Sequence, residues 1–159
     1  METGTIFDIK NKIIIITGAG RGIGHMFATS MAKYSAFVYC FDVNFPVDIP
    51  KRLSKNLFYV KGDLTNKKKF LMNCKKIYTK HKKIDVLINN LGVTFPNTSK
   101  NSYSEKDWEK TIEINLTTSF NCSQIVMPFM KKHGSGSIIN ITSINAEFGF
   151  PNNPAYIAS

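Results

Sequence analysis

The chain has 159 residues, 43% of them apolar, which suits one domain with a core of its own and excludes a disordered chain. No apolar run reaches the roughly 18 residues of a membrane span, and the opening METGTIFDIK lacks the blocks of a signal peptide, so a soluble, cytoplasmic protein is expected. The net charge of +10 invites a nucleic-acid partner, but only Arg21 and Arg52 are arginines. The lysines are scattered through the chain or gathered on one predicted helix, in NKKKF (66–70) and KKIYTKHKK (75–83), where they read as a solvated face. Neither nucleic acid nor membrane is therefore expected as a partner. Cys40, Cys74, Cys122, His25, His81 and His133 lie far apart at no ligand spacing, which excludes a zinc site and a disulfide framework and leaves the thiols as small buried side chains.

In chain order, five short apolar runs alternate with longer amphipathic ones: KIIIIT (12–17), AFVYCF (36–41), LFYV (57–60), IDVLIN (84–89) and SIINIT (137–142). Runs apolar at every position suit strands covered on both faces, as in a parallel sheet under crossover helices. The expected fold is α/β: a doubly wound parallel sheet of five strands in a single three-layer domain spanning 1–159. The first helix, GIGHMFATSMAKYS, carries Ile23, Phe27 and Met31 four apart. A long helix from Ser104 to about Lys131 carries Trp108, Ile112, Leu116 and Phe120 in the same way. Both rows are expected to face the core. Ser104 and Asp107 resemble a capping box, and Pro128 is expected to kink or tighten the last turns. NFPVDIPKRLSKN (44–56) reads as a loop.

The chemistry begins at TGAGRGIG (17–24), between the first strand and the first helix. Glycines at that junction let backbone amides and the positive end of the helix dipole approach a pyrophosphate. The spacing is T-G-x-x-x-G-x-G, formed by Gly18, Gly22 and Gly24 with Arg21 and Ile23 between them; all five are candidate cofactor contacts. Asp42, after the second strand, can accept hydrogen bonds from ribose hydroxyls and would repel a 2′-phosphate. Arg21, a cation in the loop, pulls the other way. The balance favours NAD, with NADP the second choice.

These residues resemble the short-chain dehydrogenase/reductase family, and the resemblance continues nearly to the last residue. GDLT (62–65) implies that Asp63 and Leu64 border the adenine, although Asp63 and Thr65 also read as turn and helix-cap residues. NNLG (89–92) resembles the family's N-N-A-G, which implies that Gly92 lets the backbone approach the cofactor and that Asn90 braces the sheet beside it; Leu91 departs from the usual alanine. The resemblance implies a catalytic set of Asn115, Ser143 and Tyr156, with Thr142 ranked behind Ser143. Tyr156 would exchange a proton with the substrate oxygen and also touch the cofactor, Ser143 would hold that oxygen, and Asn115 would help hold a relay water. A free tyrosine has a pKa of about 10, so roughly one in a thousand is ionised at pH 7. The family supplies a lysine four residues after the tyrosine, which would be position 160.

The expectation is therefore an oxidoreductase that moves a hydride between NAD(H) and a secondary alcohol or carbonyl, of which these residues are a fragment ending before the lysine and not competent alone. The alternative is a non-catalytic nucleotide-binding module. A homo-oligomer is implied, formed through the helix of Asn115 and the helix of Tyr156. GVTFPNTSKNSYS (92–104) and INAEFGFPNN (144–153) are expected to border the substrate, and the fifth strand to be left as an exposed edge.

Overall fold

The computed structural model describes residues 8–45, 55–96, 102–149 and 151–159. Strands β1 (Ile13–Thr17), β2 (Phe37–Asp42), β3 (Leu57–Lys61), β4 (Val86–Asn89) and β5 (Ser137–Asn140) form one parallel sheet in the order β3-β2-β1-β4-β5. Between them run α1 (Gly22–Lys33), α2 (Lys67–His81), α3 (Glu105–Ile112), a π-helical segment (Glu113–Thr117) and α4 (Thr118–His133). The short helices α5 (Asn145–Phe148) and α6 (Pro154–Ala158) follow β5. The expected doubly wound sheet is present, with strand bounds within two residues of the apolar runs.

Four consecutive isoleucines in β1 serve two cores, because strand side chains alternate between faces. Ile13 and Ile15 pack with Phe70, Cys74 and Ile77 of α2 and with Cys122, Val126 and Met130 of α4. Ile14 and Ile16 pack with Ala28 and Ala32 of α1 and with Val38 and Cys40 of β2. At the start of β1 and β4, Asp85 accepts the Ile13 N–H at 2.7 Å and pairs with Lys83 at 2.9 Å. The lysine-rich face of α2 is exposed, as its sequence suggests. Among the described residues no helix is long and apolar enough to cross a membrane, and no cluster of His, Cys, Asp and Glu could hold a metal ion.

Two expected core faces are corrected. On α1 the buried row is Gly24, Ala28 and Ala32, while Ile23 is 55% exposed and Phe27 and Met31 flank the core from its edge. Small residues let the helix axis approach the sheet closely, so the bulky row is pushed to the side. The long helix is interrupted by the π-helical segment, which takes an extra residue per turn and shifts the phase of every later position. Trp108 already faces outward ahead of this segment; within and beyond it Leu116 and Phe120 face outward, and Cys122, Val126 and Met130 face the sheet. Ser104 does cap α3, accepting the Asp107 N–H, and α4 continues past Pro128 to Gly134, which ends it at a φ of 84°.

β5 is not covered on both faces. Ile138 packs against the core shared with α2 and α4, but Ile139, paired in register with Ile88, is 45% exposed, and Ile141 is 38% exposed. The side of the sheet that α1 covers over β1 and β2 is open at β5, which fits the exposed edge expected there. Residues 46–54 of the expected loop NFPVDIPKRLSKN, and residues 97–101 and 150 of the two expected substrate borders, lie outside the described residues.

Candidate cofactor cleft and active site

The chain leaves β1 toward β2 on one side, and β4 enters the sheet on the other side of β1. In such a sheet the loops after these two strands diverge and leave a crevice at their C-terminal ends. Here the divergence is stapled by Thr17. Its hydroxyl, 1% exposed with its residue, accepts the N–H groups of Asn90 at 3.0 Å and Leu91 at 3.1 Å and donates to Ile88 O at 3.4 Å. One hydroxyl can do this because it offers one donor and two acceptor sites. Asn90 replies from the other loop: its Nδ2 donates to Thr17 O at 3.1 Å and Gly18 O at 2.9 Å.

This packing leaves no space for a side chain at Gly24, where a Cβ would stand 2.4 Å from both Asn90 Nδ2 and Gly18 O. Asn89 acts on the opposite side, its Nδ2 donating to Asn140 Oδ1 of β5 at 2.8 Å and to Ser123 Oγ of α4 at 2.9 Å. The asparagine pair thus fixes β4 against both neighbours at one level. Gly92 follows on the exposed side and faces Asn115.

A second tie was not anticipated from sequence. Gly20 N donates to Asp42 Oδ2 at 2.8 Å, while Asp42 Oδ1 accepts the N–H groups of Val43 at 2.7 Å and Asn44 at 3.2 Å. A Cβ on Gly20 would lie 1.9 Å from Asn44 O and 2.8 Å from Asp42 Cγ. Gly20 is therefore as constrained as the glycines of the recognised pattern, and the only signal for it was its place as the second glycine of GAG. Asp42 is held by three amides at the end of β2 and remains partly exposed at the mouth of the crevice.

The N-terminus of α1 opens on the same crevice. Arg21 occupies the N-cap position without a side-chain cap, and the first turn holds no acidic residue. Arg21, Gly22 and Ile23 are exposed. The first-turn amides and the helix dipole are thus left for an anion. After β3, Asp63 accepts Thr65 N at 2.9 Å and Thr65 Oγ1 at 2.8 Å, the turn geometry weighed for it, and Leu64 is 4% exposed in the core with Phe41 and Phe70.

Asn115 lies in the π-helical segment. Its Oδ1 accepts Val93 N at 2.8 Å and its Nδ2 donates to Val93 O at 3.0 Å, so one side chain pairs with one residue of the post-β4 loop as a neighbouring strand would. Nδ2 also donates to Ser159 Oγ at 2.9 Å. The Asn115 carbonyl accepts Ser119 Oγ at 2.7 Å. Ser143, three residues beyond β5, is half-buried and accepts Asn145 N at 3.2 Å, while Thr142 beside it is exposed. Tyr156, half-buried, lies in α6, which packs against α3. Among the described residues no hydrogen bond joins the Ser143 and Tyr156 hydroxyls. The three cysteines take no part: burial pushes Cys40 and Cys122 up to about 12 and Cys74 higher still, so none is a nucleophile near neutral pH.

A sequence model of the family described as short chain dehydrogenase matches residues 12–159. The chain is 31% identical, over 95% of its length, to the 3-oxoacyl-acyl-carrier-protein reductase FabG of Thermotoga maritima, and 32% identical, over 96%, to an NAD-dependent glycerol dehydrogenase of Listeria innocua. It spans 63% and 61% of those two proteins. Its fold superposes on a gluconate 5-dehydrogenase from Burkholderia cenocepacia, solved in complex with NADP and tartrate, with a TM-score of 0.84 and 27% identity, covering 96% of this chain and 61% of that one.

Replacing Gly20 by alanine forces Asn44 or the glycine loop to move and breaks the tie to Asp42. The expected cost is about 2 kcal/mol, by the general cost of overpacking a closed site. Gly62, with nothing within 4 Å of an added Cβ, is the control. Thermal unfolding should show Gly20→Ala melting clearly below Gly62→Ala; equal midpoints would contradict the packing described.

Proposed function

The chain belongs to the short-chain dehydrogenase family, and on that premise we propose that it forms the cofactor-binding and proton-transfer part of an enzyme that moves a hydride between NAD(H) and a secondary alcohol or carbonyl. The observation that carries the reading is the stapled crevice: a glycine loop held by Asn90, an uncapped helix N-terminus and a fixed carboxylate all face one opening. These features fit a dinucleotide. The α1 amides would take the pyrophosphate, Asp42 the adenosine ribose, and the turn at Asp63 and Leu64 the adenine side. When bound, the nicotinamide ring supplies hydride donation or acceptance.

The chain's own residues supply the rest. The Tyr156 hydroxyl gives a proton to the carbonyl oxygen during reduction and takes it back from the alcohol during oxidation. Ser143 donates a hydrogen bond to the same oxygen and fixes its distance from Tyr156. Asn115 holds the loop after β4 in place from beneath and, through Ser159, holds the end of α6. A homo-oligomer is part of the reading, with Trp108, Leu116 and Phe120 as the apolar face that a second copy would cover.

NAD is preferred over NADP because Asp42 cannot swing aside. Its three amide bonds hold a negative charge at the end of β2, which would oppose a 2′-phosphate on a ribose bound there, while the exposed Arg21 side chain has no such anchor among the described residues. The relatives include an NAD-dependent glycerol dehydrogenase and an NADP-bound gluconate 5-dehydrogenase, so the preference rests on this carboxylate.

Fluorescence titration should show saturable binding of NADH and at least ~10-fold weaker NADPH binding, corresponding to about 1.4 kcal/mol. Asp42→Ala should narrow or invert that ratio; tighter NADPH binding by the unaltered chain would contradict the assignment. In the full-length protein that carries these residues, Tyr156→Phe should lower kcat by ~100-fold or more while NADH affinity stays within about twofold. Undiminished turnover by the phenylalanine variant would remove Tyr156 from the proton-transfer role.

A further inference from the structure

Asn153 stands at the N-cap of α6, three residues before Tyr156. An asparagine at that position ordinarily turns its side chain inward to cap the first turn of its own helix. Here it makes no such cap. Its Nδ2 reaches 59 positions back along the chain to Thr94 Oγ1, at 2.6 Å. The bond stands for either orientation of the amide, since a threonine hydroxyl both donates and accepts.

The residue is 6% exposed, and among the described residues its Oδ1 is buried with no partner. Burying half an amide unpaired is unfavourable, so stability alone does not account for an asparagine at this place. What the side chain does provide is a fixed distance between two segments that carry different parts of the proposed site.

The far end of α6 is held in a related way. Ser159 Oγ accepts from Asn115 Nδ2, and Asn115 pairs with both backbone groups of Val93. The dipeptide Val93–Thr94 is therefore linked to both ends of the one-turn helix, by Asn115 through Ser159 and by Asn153 directly. Tyr156 lies midway between the two anchors.

We propose that Asn153 and Thr94 are positioning residues: their bond sets where the Tyr156 helix stands relative to the start of the loop after β4. This rests on the proton-transfer role proposed for Tyr156. Without the bond, α6 keeps its Ser159 anchor and its packing on α3 and α5, and can pivot about the Ser159 end. The tyrosine hydroxyl then samples positions away from the reacting oxygen, and small displacements are costly in rate when the acid must lie within hydrogen-bond reach. The link also makes movement of the post-β4 loop felt at Tyr156.

The test pairs Thr94→Val, which keeps shape and removes the hydroxyl, with Thr94→Ser, which keeps the hydroxyl. In the 159-residue chain, amide exchange followed by NMR reads the Ile157 N–H, which donates to Asn153 O at 3.2 Å. Thr94→Val should speed its exchange by ~10-fold relative to amides of the central strands, and Thr94→Ser should restore it. In the full-length protein, Thr94→Val should lower kcat by ~10-fold with KM for the cofactor unchanged, again restored by serine. Unchanged Ile157 exchange in Thr94→Val overturns the tie. Faster exchange with unchanged kcat overturns the positioning role. If Tyr156→Phe itself turns over normally, the catalytic reading of α6 has failed, and the exchange arm still decides whether the tie exists.

Discussion

Everything in the cleft depends on holding two diverging loops together at the ends of β1 and β4. A parallel sheet has no hydrogen-bond ladder beyond its last residue, so the backbone groups past Thr17 and Asn89 need other partners or they open to water. Thr17 and Asn90 supply them reciprocally: a buried hydroxyl collects two amides from one loop, and a side-chain amide collects two carbonyls from the other. Gly24 allows the helix backbone to close over this staple. The position of the α1 N-terminus, and hence of any anion it meets, follows from these few bonds.

Asparagine recurs in these ties for a physical reason. A carboxamide carries a donor and an acceptor at a spacing that matches a peptide group, so one side chain can satisfy both the N–H and the C=O of an irregular residue. Asn115 does this for Val93, and Asn90 and Asn89 tie β4 toward β1 on one side and β5 and α4 on the other. The loops that line the cleft are held by side chains that neither carry charge nor titrate near neutral pH. Among these ties to the glycine loop the charged one is Asp42, itself fixed by three amides.

Much of this was legible in the sequence, and the limits have identifiable causes. The five apolar runs marked the strands because a sheet covered on both faces needs apolar residues at every position; the glycine loop lay where a strand-to-helix turn requires it, and Asp42 at the end of the second strand. The helix faces were misjudged for two reasons. Close helix-to-sheet contact selects the small row Gly24, Ala28 and Ala32 over the bulky one, and a π-helical insertion at Glu113–Thr117 shifts the phase of the helix in a way that no fixed period can register. Gly20 went unnoticed because its constraint comes from Asn44 and Asp42, more than twenty residues away. Thr94 and Asn153, 59 positions apart, have no local signature at all. Local patterns encode elements; ties between loops are encoded only in the fold.

We propose that the stapled crevice at β1 and β4 is where a nicotinamide dinucleotide binds. Titrating NADH into the 15N-labelled chain and following backbone amide shifts tests it directly. The largest changes should fall on residues 18–24, on Asp42 and Val43, and on residues 90–92, with the lysine-rich face of α2 unaffected. Changes centred on α2, or none at the glycine loop with NADH in large excess, would contradict it.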